Sequence, residues 1–246
     1  VAQLYRLVLT PKQFQADRID LSPDQRHYLQ RVLRLRSPAQ FIALNGQGQS
    51  WLAELGEDSA KLIAPITQST ELPVPITLAI ALPKGSGFDA VVRQVTELGV
   101  SCIVPVLSDR TLLQPSASKL QRWRKIAQEA AEQSERQQVP TLVEPIAWSD
   151  YLHASNEPGQ KLLCWARGTA PSLLVTLNAL PQQSSVIAIG PEGGWSPAEV
   201  EAAIAAGYQP VSLGPRILRA VTAPIAVMAI VAAWLDLDLK GSDLDH

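Results

Sequence analysis

Apolar positions in the N-terminal part of the chain fall in short runs, Tyr5 to Leu9, Gln40 to Leu44, Ser50 to Leu55 and Lys61 to Ile66, bounded by turn-forming residues. Runs of this length predict strands, and Asn45-Gly46-Gln47-Gly48 has the chemistry of a hairpin turn. One helix interrupts them. It is expected to start at Leu21-Ser22-Pro23-Asp24-Gln25, where Ser22 can cap, Pro23 suits the first helical position and Gln25 completes a capping box. Continued at 3.6 residues per turn, this helix would align His27, Arg31 and Arg34 on one face with Arg26 beside them. Two readings of that basic face stay open, a solvated surface and a ridge that contacts phosphates.

The pattern changes at Gln68-Ser69-Thr70-Glu71-Leu72-Pro73-Val74-Pro75, where a polar run and two prolines predict a boundary between a domain of residues 1–72 and one of residues 73–246. Beyond it, apolar strands (Ile76 to Leu82, Ser101 to Leu107, Lys161 to Trp165, Ser185 to Ile189, Gln209 to Leu213) alternate with amphipathic helices (Phe88 to Leu98, Lys119 to Glu135, Pro197 to Ala206). Shorter helices are expected near 148–154 and 171–178. Continuously apolar strands such as Val186-Ile187-Ala188-Ile189 suit a parallel sheet buried on both faces, so the class is α/β.

Composition narrows the picture. Of 246 residues, 46% are hydrophobic and 18% charged, which excludes disorder and predicts a sizeable core. The longest apolar run, Ala223 to Leu235, contains Pro224 and is too short to cross a bilayer. No basic leader precedes an apolar stretch, so the expected compartment is the cytoplasm. Cys102 and Cys164 lie far apart in strand-like segments and read as reduced, buried thiols. His27, His153 and His246 show no metal-ligand spacing, so no metal is expected. The net charge of -2 hides an uneven distribution: Asp236, Asp238, Asp243 and Asp245 against Lys240 give the tail -3, and the remainder is nearly balanced. Net charge therefore does not argue against a nucleic-acid partner.

Two segments carry the most specific chemistry. In Ile189-Gly190-Pro191-Glu192-Gly193-Gly194-Trp195-Ser196-Pro197-Ala198-Glu199 a buried strand runs into a glycine-rich loop and then a capped helix, the place where open α/β sheets bind ligands. The spacing matches neither a dinucleotide fingerprint nor a phosphate loop. In Leu213-Gly214-Pro215-Arg216-Ile217-Leu218-Arg219-Ala220-Val221-Thr222-Ala223-Pro224 two arginines precede a strongly apolar helix. Arginines near a helix N-terminus oppose its dipole and suit an anionic ligand or RNA.

These two segments closely resemble the RsmE family, SPOUT-class methyltransferases that modify N3 of a uridine in 16S ribosomal RNA. The likeness extends over the chain through Arg26-His27-Tyr28-Leu29-Gln30-Arg31-Val32-Leu33-Arg34-Leu35, Leu82-Pro83-Lys84-Gly85, Thr96-Glu97-Leu98-Gly99-Val100, Ser108-Asp109-Arg110 and Glu129-Ala130-Ala131-Glu132-Gln133-Ser134 with Arg136 and Pro140. The resemblance implies a PUA-like β-barrel module followed by a SPOUT domain with a C-terminal trefoil knot, working as a homodimer on the small ribosomal subunit. It also implies that Leu163, Ile189, Gly190, Gly193, Gly194, Leu213, Gly214, Ile217 and Leu218 hold S-adenosylmethionine. Arg219 with Arg136 would stabilise charge on the uracil, and Arg26, Arg31, Arg34, Lys84 and Arg110 would contact RNA.

The chain departs from the family pattern in places. Ala220-Val221 stand where a Thr-Glu pair is usual, so no acid at that position can serve as the base. Gln94 replaces a common Lys, Glu135 replaces a Gly and can pair with Arg136, and Gln138 replaces a further basic residue. Two other classes of function remain compatible with the residues. One is an RNA-binding or assembly protein that keeps the pocket without turnover, and the other is a small-molecule enzyme holding an anion at the Gly190 to Gly194 loop.

Overall fold

The computed structural model describes residues 4–111, 115–154 and 158–241. Of the acidic tail, Asp243 and Asp245 lie outside the described residues. The chain divides into two compact units, Val1–Glu71 with Ala131–Val139, and Leu72–Ala130 with Pro140–His246.

The first unit is a curled, half-barrel sheet of five strands: β1 (Arg6–Val8), β2 (Arg18–Asp20), β3 (Gln40–Leu44), β4 (Ser50–Leu55) and β5 (Ser59–Ile66), in the order β1-β3-β4-β5-β2. The β3–β4 hairpin turns at the expected Asn45, whose Oδ1 accepts from Gln47 N (2.8 Å) and Gln49 N (3.1 Å). Leu9, Ile19, Leu29, Phe41 and Leu55 fill the core of this unit. The helix α1 (Pro23–His27) starts with the predicted capping box, Ser22 Oγ accepting from Gln25 N while Gln25 Oε1 accepts from Ser22 N.

That helix does not continue as the sequence pattern predicts. Residues Tyr28–Val32 form one turn of π-helix, closed by Leu33 N donating to Tyr28 O, and Arg34 follows at φ 57° in the left-handed region. A five-residue turn rotates every later side chain away from the 100° spacing, so His27, Arg31 and Arg34 do not share one helical face. The gain is in the core: Leu29 is fully buried and its carbonyl accepts from Leu35 N (3.0 Å). Arg26 is paired with Asp58.

Residues Ala131–Val139 belong to the same unit through two dense contacts. Val139 N donates to Gly46 O and Gly48 N to Gln137 O (both 3.1 Å), which lays this segment along the hairpin turn. Arg136, 2% exposed, donates through Nε and Nη2 to Glu71 Oε2 (3.0 and 2.6 Å), while Glu71 Oε1 accepts from Gln137 N and Gln138 N (both 2.9 Å). Glu135, expected to pair with Arg136, is salt-bridged to Arg6 at 2.6 Å. Gln138, expected on an RNA face, is held at the hairpin.

The second unit is built on a parallel sheet of β6 (Ile76–Ala81), β7 (Cys102–Leu107), β8 (Thr141–Leu142), β9 (Ile146–Ala147), β10 (Gln160–Cys164), β11 (Ser185–Ile189) and β12 (Gln209–Val211). The order is β12-β10-β11-β6-β7-β8, with β9 also on β7. β8 and β9 are two pieces of one edge, parted around Pro145, which has no N–H to give to the ladder. Every residue of β6 and β11 is buried, the polar exceptions to their apolar sequences being Thr77 and Ser185. The helices are α2 (Phe88–Glu97), α3 (Ala117–Gln133), α4 (Trp148–Ala154), α5 (Leu173–Asn178), α6 (Pro197–Ala205) and α7 (Thr222–Gly241). The apolar α7 packs on α2 and α5, and among the described residues no helix is long and apolar enough to cross a membrane.

Candidate cofactor pocket

Three loops at the carboxyl ends of neighbouring strands converge on one pocket enclosing about 800 Å³, part of it open to solvent. The loop after β11 contributes Ile189, Gly190 and Gly194, the loop after β12 contributes Leu213, Gly214, Ile217 and Leu218, and the loop after β10 contributes Cys164 to Arg167. The strand order puts β10 between β11 and β12, so loops distant in sequence become adjacent. This is the binding crevice of an open α/β sheet.

The loop after β11 is clamped at both ends. Trp195 is 7% exposed and stacks on Trp148 at 4.7 Å, and Trp148 in turn meets Tyr208 edge-on at 5.6 Å. Such aromatic pairs each stabilise by about 0.5–1.5 kcal/mol beyond burial. A Cβ on Gly190 would lie 3.1 Å from the Trp195 indole nitrogen, so the glycine is needed to let the ring close over the loop. Beyond it, Ser196 and Glu199 form the predicted capping box of α6. Glu199 Oε1 also accepts from Asp109 N (2.9 Å), and Ser196 Oγ donates to Asp109 Oδ2 (2.8 Å). Glu192 Oε1 accepts from Lys84 N (2.9 Å), and the Arg110 guanidinium donates to Gly193 O. The loop therefore sits in a frame made by residues 84 and 109–110.

Most expected cofactor residues meet here, with two differences, and the expected catalytic Arg219 lies just outside. Leu163 is fully buried in the core between the sheet and Trp148, because side chains alternate along a strand, and its neighbour Cys164 forms the wall instead. Gly193 is off the wall, its Cα covered by the Arg110 side chain at 2.9 Å from an added Cβ. Arg219 is exposed beside the wall rather than in it, and its carbonyl accepts from Thr222 N (2.9 Å) and Ala223 N (3.0 Å) at the start of α7. Burial pushes the Cys164 thiol up to about 12, so it stays protonated and is no nucleophile at neutral pH.

Arg136, expected to act with Arg219, belongs to the first unit and is committed to the buried Glu71 pair. Lys84 and Arg110 brace the cofactor loop, a role the sequence did not announce. Of the substituted Thr-Glu pair, Ala220 lines the pocket, whereas Val221 turns away and packs on Gly87, where an added Cβ would lie 2.6 Å from Val221 Cγ1. The missing acid therefore leaves the N-terminus of α2, not the pocket wall. Arg167 and Trp165 were not foreseen, because a single Arg or Trp after a strand carries no motif. Among the described residues no cluster of acidic, His or Cys side chains could hold a metal ion.

The cradle suits S-adenosylmethionine in two respects: the aliphatic faces of Ile189, Leu213, Ile217 and Leu218, and backbone groups exposed where glycines replace side chains. Gly214 adopts φ 103°, a conformation that L side chains resist.

Comparison with known proteins agrees with this geometry. Residues 70–232 match the RNA methyltransferase domain family, and residues 21–64 match the RNA methyltransferase PUA domain family. The chain is 48% identical to the ribosomal RNA small subunit methyltransferase E of Synechocystis sp. over 238 residues, 94% of this chain and 78% of that one. It is 28% identical to the protein of the same name from Bacillus subtilis, covering 97% and 99% of the two chains. The solved structure of the Neisseria gonorrhoeae enzyme bound to S-adenosylmethionine superposes with a TM-score of 0.85 at 32% identity, covering 94% of this chain and 98% of that one. A methyltransferase of Legionella pneumophila with bound S-adenosylmethionine gives 0.83 at 27% identity, with the same coverage. The chain thus belongs to the ribosomal RNA small subunit methyltransferase E family.

Proposed function

We propose that this protein methylates N3 of a uridine in 16S rRNA of the small ribosomal subunit, using S-adenosylmethionine, in the cytoplasm. The observation that carries the reading is the three-loop apolar pocket with the exposed Arg219 beside it, its backbone held at the start of α7. S-adenosylmethionine supplies a methyl group already activated on a sulfonium. The protein has then to hold the cofactor, align N3 and ease loss of the imide proton.

Ile189, Leu213, Ile217 and Leu218 hold the apolar faces of the cofactor, and the backbone of Gly190 and Gly214 approaches it closely. Arg219 donates hydrogen bonds to a uracil carbonyl oxygen as N3 gives up its proton, so negative charge develops against a cation. The first unit, residues 1–71 with Ala131–Val139 rather than the expected 1–72, forms the RNA-binding module, and the second forms the methyltransferase module, with the trefoil knot that the family resemblance implies. Lys84, Arg110, Arg31 and Arg34 are the proposed RNA contacts, the last two as separate points rather than one ridge.

The protein acts as a homodimer through α7. From Ala223 to Leu235 this helix is apolar on all sides, yet Ala229 and Ala233, at helical spacing, are exposed in the single chain. A helix without a polar face needs a covering surface, and a second copy supplies one.

The test is methyl incorporation into unmodified small ribosomal subunits and into naked 16S rRNA. Arg219→Ala should lower turnover by about 100- to 1000-fold, while S-adenosylhomocysteine binding stays within about tenfold, about 1.4 kcal/mol. Unchanged turnover in that variant would remove Arg219 from the mechanism.

A further inference from the structure

The mouth of the pocket holds two arginines that cofactor binding does not explain. Arg167 comes from the loop after β10 and Arg216 from the loop after β12, and both are exposed while lining the same pocket. Among the described residues neither makes a hydrogen bond or an ion pair. Elsewhere in the same unit Arg122, Arg124 and Lys125 are each paired with a carboxylate. The carboxylate on the pocket wall, Glu192, is directed at Lys84 N.

Neither arginine sits on a loose loop. A Cβ on Gly168 would fall 2.2 Å from the Trp165 ring, so that ring packs closely against Gly168 with Arg167 between them. Arg216 Nη2 lies 3.4 Å from where a Cβ on Gly214 would be, so its guanidinium rests along the cofactor loop. Two arginines thus line one opening from adjacent loops.

Their charge identifies the ligand. S-adenosylmethionine carries a carboxylate, an ammonium and a sulfonium, a net positive charge, and a rim of arginines repels it overall. A phosphodiester strand is attracted to the same rim, and the guanidinium fork matches phosphate oxygens. We infer that Arg167, with Arg216, grips a backbone phosphate of the RNA next to the target base, acting as a positioning residue. The inference rests on the methyl-transfer reading for the identity of the base. The phosphate contact itself stands on the geometry of the rim.

The experiment measures binding of in-vitro-transcribed 16S rRNA over a series of KCl concentrations, with S-adenosylhomocysteine binding followed in parallel by calorimetry. Arg167→Ala should weaken RNA binding about five- to tenfold and flatten the slope of log K against log salt by about 0.7–0.9, the contribution of one phosphate. The KM for RNA should rise while S-adenosylhomocysteine affinity stays within about twofold. Arg167→Lys should restore the slope but only part of the affinity, because it keeps the charge without the fork. An unchanged slope would overturn the proposal, and so would lost S-adenosylhomocysteine affinity with RNA binding intact, which would assign Arg167 to the cofactor carboxylate. Wild-type protein that binds RNA through Arg167 but does not bind S-adenosylhomocysteine would sink the methyl-transfer reading and leave the phosphate site standing.

Discussion

Replacing Arg136 separates a structural arginine from a catalytic one. In Arg136→Met the Glu71 carboxylate stays in place with two backbone donors, Gln137 N and Gln138 N, but loses its charged partner and the 3.0 and 2.6 Å bonds to Oε2. Arg136 is 2% exposed and the Glu71 side chain 12%, so water cannot easily take over. Breaking a buried pair on one side costs about 3–5 kcal/mol, because the remaining charge is left uncompensated. With a urea dependence of about 1–3 kcal/mol per molar, that loss lowers the unfolding midpoint of the first unit by about 1–5 M. Amide hydrogen exchange of peptides covering β3 to β5, followed across urea concentrations, reads this directly. The double variant Glu71→Gln, Arg136→Met removes both charges and should recover at least half of the loss. A single variant that keeps its stability but loses rRNA methylation would return Arg136 to the catalytic site.

Three further outcomes follow from the same geometry. Gly214→Val forces a β-branched side chain into φ 103° beside Arg216, and should weaken S-adenosylhomocysteine binding more than tenfold by calorimetry; unchanged affinity would show that this loop does not hold the cofactor. Ala233→Glu places a charge on the exposed apolar stripe of α7 and should convert dimer to monomer in analytical ultracentrifugation, whereas a dimer of unchanged stability would put the interface elsewhere. Cys164 should resist iodoacetamide at pH 8 in the folded protein because its thiol keeps its proton, and prompt alkylation would contradict the raised pKa. The linkage has a definite sign: the folded thiol holds its proton up to about 12 and the unfolded thiol only to about 9.0, so this group lowers stability as pH rises through that window.

The sheet of the second unit was legible because strands such as Val186 to Ile189 are apolar at every position, a pattern only burial on both faces explains. The cofactor loops were legible for a related reason, since glycines and a capping box at a strand end mark where the backbone must turn tightly. Other features carry no local signal. β8 and β9 have two residues each, too few for any period to register. The π-turn at Tyr28 is set by burial of Leu29, a tertiary demand that overrides the helical spacing of His27, Arg31 and Arg34. Arg136 and Glu71 are 65 residues apart, and the sequence pattern around either one reads as an ordinary polar surface. Arg167 became visible only when strand order brought the loop after β10 beside the loop after β12.

Methyl delivery to N3 of a uridine by this pocket is tested by mass spectrometry of nucleosides from 16S rRNA after unmodified small subunits are incubated with the protein and S-adenosylmethionine carrying a deuterated methyl group. Labelled 3-methyluridine is expected with the wild type and its near absence with Arg219→Ala. Label on another nucleoside, or on none, would contradict it.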